Sequence, residues 1–152
     1  MLDRALDPRR LRKHLLLEHD LQALGVKSHE IEALPQYMSV PLFEDLPAAL
    51  GWSFVIERST LSHPNLFRLV AAALPGEAAF GSSYLKCYFG SVGEMWRSFG
   101  DGLASGAPSA EDAERIVDAA TAGNRHFRRW RNTLDGKALS VAGDIAEGSS
   151  ST

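Results

Sequence analysis

The sequence predicts an all-α domain of five or six helices. Two observations carry that prediction: apolar residues step by three and four almost everywhere, and residues that start or stop helices stand at the ends of those runs. A third sets the scale. The 152 residues are 45% hydrophobic and 23% charged, enough for one globular domain with a real core.

Leu11, Leu15, Leu21 and Leu24 lie on or near one face of the first run, and Leu16 and Leu17 widen it. That width predicts a well-buried helix, stopped by Gly25. Residues 26–45 contain Pro35 and Pro41 and read as a mostly irregular connection. Leu46–Leu61 is the next helix, with Asp45 as its N-cap and Pro47 in its first turn. Pro64 then opens a third helix that ends near Leu74, before Pro75-Gly76. The segment Phe80–Phe89 fits helix or extended chain. Over Gly90–Leu103, Val92, Met95, Trp96, Phe99 and Leu103 share a face. Ser109 and Asp112 form a capping box for the last helix. Its core face runs through Ile116, Ala120, Gly123, Phe127, Trp130 and Leu134. Gly123 there permits a close helix contact or a ligand contact. The domain is expected to span 1–134, and 135–152, ending in GSSST, to form a disordered tail.

Charge and composition exclude several classes. A net charge of −3 gives no footprint for nucleic acid. No apolar run approaches the ~20 residues that a membrane span needs, and MLDRALDPRRLRKH lacks a signal peptide's apolar centre. Cys87 is the single cysteine, so neither a disulfide framework nor a cysteine metal cluster is expected. It reads as a small buried hydrophobe. These points together predict a soluble, cytoplasmic protein.

Val55–Phe67, VIERSTLSHPNLF, turns polar within six residues, places His63 and meets Pro64. In one reading it joins two helices; in another the break faces a ligand. Four segments in order sharpen the second reading: RRLRKHLLLEHDLQALG, ALGWSFVIERSTLSHPNLF, YFGSVGEMWRSFGDGL and ATAGNRHFRRW. Together they resemble the bacterial, biliverdin-producing haem oxygenases over roughly Arg9–Leu134. The first is similar to a family helix that closes on an acidic residue, leucine and Leu-Gly. The second resembles the distal helix, usually E-G-S-x-L-G-G after an apolar start. The third carries G-x-x-W-x-x-F-x-x-x-L, and the fourth an aromatic shortly before tryptophan.

The resemblance implies an all-α fold that holds haem, both substrate and cofactor, between a histidine-bearing proximal helix and a kinked distal helix. It implies oxidative cleavage to biliverdin, carbon monoxide and ferrous iron, with electrons from an external reductase or ferredoxin and a link to a bilin-binding photoreceptor. Glu57, Ser59, Thr60 and Leu61 match the distal pattern, but the family's glycines fall at Arg58, Ser62 and His63, all replaced. In the resemblance the proximal histidine lies on a family helix earlier than the segment matched by Arg9–Gly25, so that helix is expected to be missing, with an apolar patch in its place near Trp52 or Trp96. His63 is the first candidate iron ligand and His19 the second; His14 is similarly placed on the first run. Arg97, Lys86, Tyr88, Arg125 and Arg128 are candidate propionate contacts, since a basic fork suits carboxylates. The rival expectation is a non-catalytic haem- or bilin-binding or protein-interaction module on the same scaffold.

Overall fold

In the computed structural model, residues 6–35 and 40–148 are described, the side chains of 8, 9 and 135–148 excepted. Every regular element among them is helical. Five helices have eleven residues or more: α1 (Lys13–Ala23), α3 (Leu46–Ser59), α4 (His63–Ala73), α6 (Val92–Ser105) and α7 (Ala110–Gly148). Two are short, α2 (Ser28–Glu32) and α5 (Pro75–Phe80). A 3-10 turn over Pro8–Arg12 leads into α1, and another over Thr60–Ser62 separates α3 from α4.

The helix ends follow local chemistry. Gly25 takes φ +92°, which favours glycine. The N–H of Val26 bonds to the Leu21 carbonyl and that of Gly25 to the Gln22 carbonyl, the double closure of a Schellman motif. Asp45 caps α3 by accepting from the Ala48 N–H at 2.8 Å. Ser109 accepts from the Asp112 N–H at 3.1 Å and donates to the Asp112 carboxylate at 2.6 Å, closing the start of α7. Pro64 stands in the first turn of α4, as expected.

The core is small. Leu6, Leu50, Phe99 and Ile116 are buried, with Leu46, Phe54, Trp96 and Leu103 packed against them. The principal helix pair is α3 with α7. Gly51 makes their approach possible: a Cβ there would lie 2.4 Å from the Ile116 carbonyl oxygen and 2.6 Å from the Ala119 Cβ. Gly123 answers from α7, packed on Trp52 and Val55, so of its two expected roles it serves the helix contact. Gly51→Ala must therefore push backbone off backbone. It should cost about 1–3 kcal/mol, in the range of overpacked cores, read as a lowered urea midpoint. A neutral Gly51→Ala would mean the two helices are not this close.

Two expectations are corrected. The leucine face of α1 is not core: Leu11, Leu15, Leu17 and Leu24 are 42–49% exposed, whereas Lys13 and Asp20 are buried. The helix turns inward the side that makes ion pairs and N–H contacts, leaving these four leucines outside and Leu16 and Leu21 half-buried. Phe127 is likewise 49% exposed, although Gly123 before it is buried and Trp130 after it is half-buried. The α7 backbone is helical to Gly148, and DGKALSVAGDIAEG contains no proline to stop it. Two smaller differences are α2, inside the expected connection, and α5, which starts at Pro75. Trp52 and Trp96 are half-buried. Exposed apolar side chains occur instead on several elements: the leucines of α1, Ile56 and Leu61 near the break, Leu66 and Leu69 on α4, and Phe89.

Candidate functional site

The residues just before the break hold the molecule's densest set of polar contacts. Glu57, in the last turn of α3, is 3% exposed. Arg10 donates to its Oε2 at 2.7 Å, and Lys13 makes a short ion pair with its Oε1. Tyr88 lies within 3.3–3.4 Å of both oxygens. The second arm of Arg10 donates to the Met95 carbonyl at 2.7 Å. Its guanidinium also sits over the rings of Tyr88 and Phe99, at 5.7 and 5.8 Å. One carboxylate thus joins the 3-10 entry turn, α1, α3 and the 82–91 segment, with α6 attached through Arg10.

The cluster holds two cations around one anion, all buried. Burial, then the Glu57 charge, raises the Tyr88 phenol, so its O–H stays on and donates to the carboxylate. The sequence reading missed Arg10, Lys13 and Asp20. Their signal was a charged stripe at spacings of three and seven along the leucine-rich run, a spacing that keeps one helix face.

Asp20 fixes the 82–91 segment from the other end of α1. Its two oxygens accept the N–H groups of Ser83 at 2.7 Å and Tyr84 at 2.8 Å. Burial raises this carboxyl, but the N–H bonds outweigh it and hold the group below the usual value.

His63 opens α4 and is 3% exposed. Its ring packs on Tyr84, centroids 4.7 Å apart, and its Nδ1 is 3.7 Å from the Cys87 Sγ. Burial, with the Lys13 charge second, lowers the imidazole from 6.5. Burial also raises the Cys87 thiol, which leaves a neutral pair. The linked stability has a definite sign. As pH falls below about 6.5 the unfolded chain takes up a proton that the folded histidine resists, so stability falls until the lowered folded value is passed. Urea midpoints measured between pH ~7.5 and ~5.5 should decline, and His63→Gln should flatten that part of the decline. An unchanged slope in the variant would place the titration elsewhere.

The other candidates do not gather around His63. Arg58 and Ser62 are exposed. They stand four residues apart across the break, which puts them near one face, with His63 turned to the other. His19 is exposed, 3.4 Å from the Ser83 hydroxyl and 3.6 Å from Asp20. Lys86 covers the Phe67 ring at 5.3 Å. Arg97 is exposed on α6. Arg125 and Arg128 line a groove made wholly of α7 residues. Among the described residues no three His, Cys, Asp or Glu side chains gather as a metal site. The candidate iron ligands are split between the buried start of α4 and the exposed face of α1.

Open apolar space lies instead on both sides of α1. One groove of about 340 Å³ runs between α1 and α3, walled by Leu11, Leu17 and Ile56, with His14 and Ser53. Another of about 390 Å³ is lined by Arg12, Leu15, Leu16, Cys87, Tyr88 and Met95. Lys13 reaches both. No helix among the described residues is long and apolar enough to cross a membrane. No family model matches the chain, no curated protein is similar to it, and no solved structure resembles it.

Proposed function

We propose that this chain is a haem oxygenase-like scaffold used for binding, a haem- or bilin-binding or protein-interaction module, rather than a haem-cleaving enzyme in its own right. The observation that carries the reading is the break itself. The helix interruption at Thr60–Ser62 stands where the distal kink of the family is expected, yet Arg58 and Ser62 occupy its exposed face and His63 turns inward. Glycines let a backbone lie against a flat ring; an arginine in the same place holds it away. The apolar grooves beside α1, one of them with exposed Arg12 on its wall, suit an amphipathic ligand with a carboxylate.

The second reading is oxidative cleavage of haem to biliverdin, carbon monoxide and ferrous iron, served by a reductase or ferredoxin. The retained break favours it. Haemin titration followed in the Soret region, then addition of a reductant with biliverdin absorbance as the readout, separates the two. Binding without biliverdin is expected, with His63→Ala and His19→Ala leaving the band in place and Arg58→Gly tightening it. Biliverdin formation by the unaltered chain would replace the first reading with the second. No Soret change at all would remove haem from both and leave the interaction module.

A further inference from the structure

We propose that α7 pairs with α7 of a second copy of this chain, antiparallel, about a two-fold axis at Thr121. The face of α7 that meets α3 runs through Ile116, Ala119, Ala120 and Gly123. At about 100° per residue, Thr121 lies about 150° round the helix from the middle of that face. It is exposed, as are Glu114, Val117, Asp118, Arg125 and Arg128 on the same side. That outer face is divided by charge. Its first half carries Glu114 and Asp118 in a depression with Ala113 and Val117. Its second half carries Arg125, Arg128 and Arg129, in a groove with Asn124 and Asn132. The one cation of the first half, Arg115, points round the helix to an ion pair with Asp45. None of the outer charges is paired within the described chain.

Such a face cannot match itself in parallel, where like charges meet. Antiparallel, it matches itself completely. Glu114 and Arg128 each stand about 10 Å from Thr121 along the axis, in opposite directions and within roughly 20° of its bearing. Asp118 and Arg125 stand about 5 and 6 Å away, and both are displaced to the same side of it. The two-fold therefore sets Glu114 against Arg128 and Asp118 against Arg125 of the other copy, twice over. Thr121 is small enough at the centre to let the helices close, and the interface is isologous, as a closed dimer requires. Four surface ion pairs and little apolar area make an association that salt weakens.

Light scattering or sedimentation of the full chain should give a dimer mass at low salt and a monomer mass at high salt. Glu114→Arg with Asp118→Arg makes the face wholly basic, and Arg125→Glu with Arg128→Glu makes it wholly acidic. Each pair of changes should give a monomer of unaltered helical content, since all four positions are exposed. Mixed in equal amounts, the two altered chains should restore the dimer, because every contact is then again between opposite charges. A monomer at low salt for the unaltered chain would overturn the proposal. So would an association that survives both high salt and the charge reversals, which would assign the contact to the exposed leucines of α1. Failure of the mixture to dimerise would overturn the antiparallel register.

Discussion

Glu57→Ala should destabilise the fold by about 3–5 kcal/mol, the usual cost of stranding buried charge. Arg10 and Lys13 are 4% and 5% exposed. With the carboxylate gone, both remain cationic side by side with no anion between them. The Tyr88 hydroxyl loses its acceptor as well, which leaves a further buried donor unmatched. For a domain of this size each kcal/mol corresponds to about 2–4 °C, so the melting temperature should fall by about 6–20 °C. Glu57→Gln keeps the shape and one acceptor, and should lie between the two. Adding Lys13→Met to Glu57→Gln should recover part of the loss, because it removes one stranded charge. Thermal and urea unfolding of the four proteins checks this. A loss below about 1 kcal/mol for Glu57→Ala would mean that water enters the cluster and screens it.

Phe99→Ala should cost a comparable amount, about 3–5 kcal/mol, by a different route. The ring is wholly buried and meets Phe54 and Trp96, with centroids 6.4 and 5.8 Å away. Removing it leaves a cavity at the centre of a small core, which few neighbours can refill. It also removes the surface over which the Arg10 guanidinium lies. The core and the charged cluster are therefore coupled, and the loss in the Phe99→Ala, Glu57→Ala double variant should fall short of the sum of the single losses. Strict additivity in urea unfolding would show that the two regions fail independently.

The contrast between α7 and α1 shows how far the residues alone could lead. On α7 the capping pair Ser109-Asp112 and the period through Ile116, Ala120 and Gly123 were readable, because a long helix with one packed face repeats its signal over many turns. The break at Thr60–Ser62 was readable too, since Pro64 forces a helix to start anew. On α1 the same arithmetic pointed the wrong way. Leucines at helical spacing normally mark the buried face, but burial depends on what a helix is packed against, which lies elsewhere in the chain. Asp20 had Ser83 and Tyr84 to cap, and Arg10 and Lys13 had Glu57 to neutralise.

The same division holds at the candidate site. Residue type and order established an all-helical chain, its punctuation, and Val55–Phe67 as the segment where chemistry departs from a plain helix. They put Arg58, Ser62 and His63 together on one ligand-facing break, with His63 as the first candidate iron ligand. The fold separated them: one turn of 3-10 helix rotates His63 inward against Tyr84 and Cys87 and leaves Arg58 and Ser62 outside. Local periodicity is written in neighbouring residues and can be read along the chain. Which side of a helix meets water is decided by contacts between residues 24 to 85 positions apart, and those exist only once the chain has folded.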